Sequence, residues 1–308
     1  MNNKKHKAGS IFVNRIILLV ITLSLVFAAA GVVVGCRSRA TSTNAVDSTT
    51  AGSSAANTTT TKSTAAATTT TATPTTVATT VPTTTATTVA AELPPSSENP
   101  VIALTFDDGP SLRDTGTLLD LLKAEDIKAT FFVLGNQIAA GRESFVKRAF
   151  AEGHEIGNHT YSHKTVKKLS AGEVRKEFSQ ANDLIEGITG VKPVIARPPT
   201  GAYDDTTIAV SKELGMTLVN WSYQSCPEDW NHRGEPDYIA DFVIEKARNG
   251  HIVLLHDTNS TTVEAMPKMI KGLKEKGFRF MTVSELLAYG GEGEPSKDKV
   301  YFQYSAKK

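Results

Sequence analysis

From Pro100 onward the sequence predicts an α/β fold, a parallel sheet with helices packed outside it. Three observations predict it. Short apolar runs alternate with helical patterns about seven times, the signature of successive strand–helix units. Polar clusters follow directly after the apolar runs, where α/β sites assemble at strand C-termini. The roughly 210 residues from Pro100 suffice to bury one sizeable core. An open doubly wound sheet and a closed barrel both satisfy this pattern.

The elements follow in order. Val101–Phe106 is a continuous apolar run broken only by Thr105, a strand buried on both faces. Thr115–Ala124 carries Leu118, Leu119, Leu121 and Leu122 at helical spacing. Ala129–Leu134 (ATFFVL) is the second strand, and Ser144–Glu152 the next helix. A short run at Glu155–Asn158 precedes a long helix over Ser170–Ile188, which opens on Ser170-Ala171-Gly172-Glu173, a capping-box spacing. Strands at Val194–Arg197, Thr217–Trp221, His251–Leu255 and Phe278–Thr282 alternate with helices at Asp205–Leu214, Asp237–Arg248 and Thr261–Lys276.

Everything before Pro100 has a different composition. Ile16–Gly35 is an uncharged apolar stretch, about 30 Å long as a helix, the thickness of a bilayer core. Lys4, Lys5, Lys7 and Arg15 precede it, which fits a cytoplasmic N-terminus. Residues 1–40 therefore read as a signal or anchor segment with three competing fates. It stays as an uncleaved anchor, is cut after Ala28-Ala29-Ala30, or is cut before Cys36, where Val33-Val34-Gly35-Cys36 resembles a bacterial lipobox and the thiol would carry lipid. All three place the rest of the chain outside the cytoplasm. Residues 41–98 are Thr, Ser and Ala with scattered prolines and no aromatic residue. Such a segment cannot bury enough apolar surface to offset chain entropy and is expected to be a disordered linker. As a flexible coil it would span about 40 Å.

The charge distribution sharpens this division. The 308-residue chain has a formal net charge of +1, but the first forty residues carry about +6, the linker about −2 and the remainder about −3. An acidic body argues against nucleic-acid binding. Two cysteines, Cys36 and Cys226, exclude a disulfide scaffold and a four-thiolate zinc site. Any metal here must rely on His and carboxylate.

Five clusters carry chemistry. Asp107-Asp108 ends the first strand and is fixed by Gly109-Pro110; one carboxylate could bind metal while the other stays free as a base, although Asp is also common in plain turns. His159 and His163 follow the third strand four residues apart, the spacing of two-His metal sites. Arg197 precedes Pro198-Pro199-Thr200-Gly201 and is placed to pair with a carboxylate. Asp229-Trp230 follows the fifth strand, and His256-Asp257 emerges from the apolar run Ile252–Leu255, where His256 could act as a general acid. Cys226, near Asp229, reads as a small buried hydrophobe, with a further metal ligand as the alternative.

Taken together these clusters resemble the five motifs of the NodB-type polysaccharide deacetylases, carbohydrate esterase family 4. They match as TFDDGP at 105–110, HTYSH at 159–163, RPPTG at 197–201, DW at 229–230 and LLH at 254–256. The resemblance implies a distorted (β/α) barrel of about seven parallel strands over residues 99–289, with 290–308 as a C-terminal tail. It implies that Asp108, His159 and His163 hold one divalent metal, Zn²⁺ foremost with Co²⁺ or Mn²⁺ as alternatives. Asp107 would be the general base oriented by Arg197. His256 would be the general acid, kept protonated by Asp229. Thr200 would lend a backbone N–H to the oxyanion, and Trp230 and Leu254 would line the acetyl pocket. Family members often carry Tyr where Thr200 stands; Tyr203 is the candidate to replace that ring at the substrate.

The implied activity is removal of N-acetyl groups from a cell-wall polysaccharide, with N-acetylglucosamine of peptidoglycan as the leading substrate and chitooligosaccharide or xylan as alternatives. The expected setting is a monomer tethered to the membrane and facing the wall. A non-catalytic wall-binding surface protein and a two-metal phosphoesterase are the rivals from other classes.

Overall fold

The computed structural model describes residues 99–289 and 295–304. The apolar segment, Cys36 and the Thr-rich linker lie outside the described residues. Among those described, no helix is long and apolar enough to cross a membrane.

Seven parallel strands stand where the apolar runs predict them: β1 (Val101–Asp107), β2 (Thr130–Val133), β3 (Glu155–Asn158), β4 (Ile195–Ala196), β5 (Thr217–Val219), β6 (His251–His256) and β7 (Arg279–Phe280). The helices are α1 (Thr115–Ala124), α2 (Gly135–Gln137), α3 (Glu143–Ala151), α4 (Ala171–Thr189), α5 (Asp205–Glu213), α6 (Pro236–Lys246), α7 (Ser260–Glu275) and α8 (Val283–Ala288). The Ser170–Glu173 capping box forms at the start of α4, and Gly190 closes that helix at φ 75°. α2, which continues through a π-type turn over Ile138–Arg142, and α8 are additions to the sequence expectation.

The sheet runs in the order β6-β1-β2-β3-β4-β5 and ends on an eighth strand, β8 (Val300–Tyr301), while β7 pairs with the first residues of β1. β8 lies in the tail and pairs parallel with β5, Leu218 opposite Val300 and Val219 opposite Tyr301. Two residues on, Gln303 forms an antiparallel bridge to His251 at the start of β6. The tail thus spans the seam between β5 and β6, the two strands that close the (β/α) barrel.

Alternation along β1 separates two cores. Ile102, Leu104 and Phe106 pack outward with Leu118, Leu119 and Leu122 of α1 and with Met266, Met269, Ile270 and Leu273 of α7. Val101 and Ala103 face the other way, into a cluster with Phe132, Ile195, Val219 and Ile252. Val283, Leu286 and Leu287 of α8 join this inner cluster, sealing the end of the barrel where the strands begin. The opposite end, at the strand C-termini, stays open. Because side chains alternate along a strand, Thr105 and Asp107 continue the inward row toward that open end.

Candidate active site

Asp107 ends β1 and is 3% exposed. Its Oδ1 accepts a hydrogen bond from Arg197 Nη1 at 2.7 Å. Arg197 is fully buried, and the barrel interior is built around its guanidinium. Nη1 also donates to Thr105 Oγ1 (2.7 Å), Nε to Val219 O (3.2 Å) and Nη2 to Asn220 O (2.9 Å). The guanidinium carbon lies 4.1 Å from the centre of the Phe132 ring. A planar fork of donors spread over β1 and the end of β5 cannot swing, so the Asp107 carboxyl group is held in one orientation.

Asp108 turns the chain at φ 72°. The following Gly109 leaves room for a carboxylate, since a Cβ there would lie 2.3 Å from Asp257 Oδ2. Asp108 Oδ1 is 3.4 Å from His159 Nε2 and 3.1 Å from His163 Nε2. The His159 Nδ1–H donates to the carbonyl of Arg197 at 2.8 Å. A carbonyl only accepts, so this bond fixes the tautomer and leaves Nε2 as a free lone pair. The loop between the two histidines is pinned from α4, where Glu177 accepts from the Ser162 N–H (2.9 Å) and hydroxyl (2.7 Å). Asn158 Oδ1 accepts from the Thr160 N–H at 2.6 Å. Thr160 and His163 both take positive φ, 72° and 59°, so strain collects around these residues, as it does at ligand clamps.

The donor set fits a divalent cation. Ligating atoms of Asp108, His159 and His163 all lie within 4.8 Å of one another. Asp108 Oδ1 is buried with no hydrogen-bond partner among the described residues, a costly state unless a cation completes it. Burial opposes the Asp108 charge, but the contact with His159 and the charges of His159, His163 and His256 outweigh it and draw the pKa down to about 2. Burial lowers His163 in turn, favouring the neutral imidazole that ligates.

Across the cleft, His256 Nδ1 sits 2.7 Å from Asp229 Oδ1. Asp229 is fully buried; its Oδ2 accepts from the His256 backbone N–H (2.9 Å) and from Thr262 Oγ1 (2.5 Å), and its carbonyl from Asn259 Nδ2 (2.8 Å). Burial works against a charged imidazole, but the hydrogen bond and charge of Asp229, reinforced by Asp107 and Asp108, push His256 up to about 9. The indole of Trp230 meets the His256 ring edge-on at 5.5 Å.

One cleft of about 440 Å³ is lined by Asp107, Asp108, His159, His163, Thr200, Trp230, Leu254 and His256. Arg197 lies beneath it and Asp229 behind it. Tyr203 is half-buried and does not line the cleft, because a single tight helical turn over Pro199–Gly201 turns the chain, with Thr200 at φ 60°, before Tyr203 is reached. Trp221, Arg233, Thr258 and Asn259 also line the cleft, outside the five sequence clusters. Trp221 lies two residues past the end of the short strand β5, so the signal for it is its place just beyond a strand end. Cys226 is buried, and burial pushes its thiol up to about 11, the state of an inert hydrophobe.

Residues 95–219 match the family model described as Polysaccharide deacetylase. A peptidoglycan-N-acetylglucosamine deacetylase of Bacillus cereus is 39% identical over 198 residues, which cover 63% of this chain and 91% of that protein. This chain belongs to the polysaccharide deacetylase family. The peptidoglycan-N-acetylmuramic acid deacetylase PdaC of Bacillus subtilis is 39% identical over 186 residues, covering 60% of this chain but only 38% of the length of PdaC. Among solved structures, a family 4 acetyl xylan esterase from Clostridium thermocellum in complex with a cobalt ion superposes with a TM-score of 0.61 at 32% identity, covering 66% of this chain and 98% of that one. The polysaccharide deacetylase model match covers β1 to β5, with Asp107, Asp108, His159, His163 and Arg197 inside it.

Proposed function

We propose that this chain is a metal-dependent hydrolase that removes N-acetyl groups from a cell-wall glycan, with N-acetylglucosamine of peptidoglycan as its substrate. The observation that carries the reading is the pairing of two opposed proton carriers over one cleft. A carboxylate clamped by Arg197 lies on one side, and an imidazole clamped by Asp229 lies on the other, with the Asp108–His159–His163 donor set between them; His256 Nε2 is 3.9 Å from Asp108 Oδ2.

Asp108, His159 and His163 would hold Zn²⁺, which when bound supplies Lewis acidity toward the amide carbonyl and toward water. Asp107 takes a proton from the water that adds to the acetyl carbon. Arg197 pairs with Asp107 and keeps it aimed, and through its own carbonyl sets the His159 tautomer. The backbone N–H of Thr200 stabilises the developing oxyanion. His256, held protonated by Asp229, gives its proton to the amide nitrogen as the C–N bond breaks, so that acetate and an amine leave. Trp230 and Leu254 enclose the acetyl methyl. The proton that Asp107 gains and the one that His256 gives balance over the cycle.

The location of this chemistry follows from the first hundred residues. The chain is a monomer held at the membrane by its apolar segment, or by lipid on Cys36, with the Thr-rich linker carrying the barrel out toward the wall. The peptidoglycan deacetylases among its relatives support the placement at the wall.

Incubating the purified protein with Zn²⁺ and peptidoglycan fragments, chitooligosaccharides and acetylated xylan, then scoring released acetate, tests the reading. Release from wall fragments that disappears in Asp107→Asn supports it. Binding without release would point to a non-catalytic wall protein, and two metal ions per chain would point to a phosphoesterase.

A further inference from the structure

The cleft opens on one side onto a row of aromatic rings that none of the five motif clusters accounts for. Trp221 lines the cleft. Its ring meets Tyr223 edge-on at 5.6 Å, and Tyr223 in turn lies 5.6 Å from Phe302 at a tilt of 38°. Tyr223 is 61% exposed, and Trp221 and Phe302 are half-buried. Three rings in contact, one of them largely exposed and one of them in the cleft wall, offer an aromatic face beside the site.

The last ring comes from the tail, and its backbone is held rigidly. The Asn220 N–H donates to Tyr301 O (2.7 Å), Ser222 Oγ to Phe302 O (2.8 Å), and the Tyr304 N–H to Gly250 O (2.8 Å). The approach at Gly250 is so close that a Cβ there would lie 2.7 Å from Tyr304 O. Trp221 is braced from below in the same way, with its ring 2.7 Å from where a Cβ on Gly201 would sit. The row is therefore preorganised and would lose little conformational freedom on binding.

Resting on the glycan reading given above, we propose that Trp221, Tyr223 and Phe302 form a glycan subsite that holds the sugar next to the one in the cleft. The occupant follows from continuity and chemistry. Trp221 belongs to both the cleft and the row, so a chain with one sugar in the cleft can continue across Tyr223. The two steps of 5.6 Å are on the scale of a sugar ring. The C–H faces of a pyranose are apolar and pack on aromatic faces, while its hydroxyls stay in water. This assigns the tail a role in selecting polymer over monomer.

The test compares wild type, Tyr223→Ala, Phe302→Ala and Tyr223→Phe against N-acetylglucosamine oligomers of increasing length. Dissociation constants come from calorimetric titration in chelator, and acetate release is followed in parallel with Zn²⁺. Wild type should bind longer oligomers more tightly than the monomer. Tyr223→Ala and Phe302→Ala should weaken oligomer binding about five- to ten-fold and leave the monomer unchanged, with Tyr223→Phe behaving as wild type. Tyr223→Ala leaves every tail hydrogen bond in place, so it decides the matter even where Phe302→Ala loosens the fold. Equal losses for monomer and oligomer, or no loss for either, overturn the subsite. Length-dependent binding that needs Tyr223 but yields no acetate from any glycan would instead overturn the hydrolase reading and leave the subsite standing.

Discussion

Replacing Arg197 by Met tests how the barrel interior is held together. The change removes the partner of a 3%-exposed carboxylate, Asp107. It also strips the donors from Val219 O and Asn220 O. Breaking one member of a buried ion pair costs about 3–5 kcal/mol, and each carbonyl left without a donor about 1–3 kcal/mol more. Against a typical total stability of about 5–15 kcal/mol, Arg197→Met should leave the barrel close to unfolding. Arg197→Lys restores the charge but not the planar fork, and should recover part of the loss. Asp107→Asn/Arg197→Met removes both charges and should be less damaged than the sum of its single variants, with a coupling of about 2 kcal/mol or more. Urea unfolding followed by tryptophan fluorescence reads all four. A loss below about 1 kcal/mol in Arg197→Met, or no coupling in the double variant, would refute the claim that this pair organises the interior.

Three further outcomes follow. Asp229→Asn removes the charge that holds His256 up at about 9, so the imidazole should lose its proton at lower pH. The alkaline limb of the pH–kcat/KM profile should then move acidward while kcat falls. His163→Ala removes one of three donors; the wild type should retain one divalent ion per chain after desalting, measured by mass spectrometry, and the variant should retain far less than one. Burial, with the charges of Lys128 and Arg148, depresses His154 from 6.5 to about 4. Above pH 6.5 neither folded nor unfolded chain is protonated there. As pH falls through the window from about 6.5 to about 4, the unfolded chain takes the proton first and stability drops by roughly 3 kcal/mol. His154→Asn should flatten that part of the pH–stability curve in urea titrations; an unchanged slope contradicts the assignment.

The strands were legible because a two-faced buried strand writes itself as a continuous apolar run, as in Val101–Phe106. The helix over residues 171–189 was legible from its capping box. What the sequence hid was non-local. Glu177 looks like any helix-surface acid, yet it pins Ser162. Thr262 and Asn259 carry no motif, yet they hold Asp229. The segment Val283–Ala288 is too short for a periodic signal and becomes a helix because Val283, Leu286 and Leu287 seal the barrel. Val300–Tyr301 is a strand only because β5 offers it an unpaired edge. The cleft residues were legible as clusters at strand ends, since parallel strands bring those ends together whatever their separation in sequence. Tyr203 was not, because its position depends on a turn at Thr200 with φ 60° that no periodicity announces.

The β5–β6 seam has a consequence for biosynthesis. A chain made from the N-terminus completes β1 to β7 before residues 300–304 exist. During that interval β5 has a free edge, and unpaired strand edges recruit other chains. The inner cluster meanwhile lacks Tyr301 and Tyr304, which pack against it. The barrel thus reaches its final state only on arrival of its latest strand. A premature stop between Ala288 and Val300 would yield a protein with every motif residue present and its wall open beside Trp221.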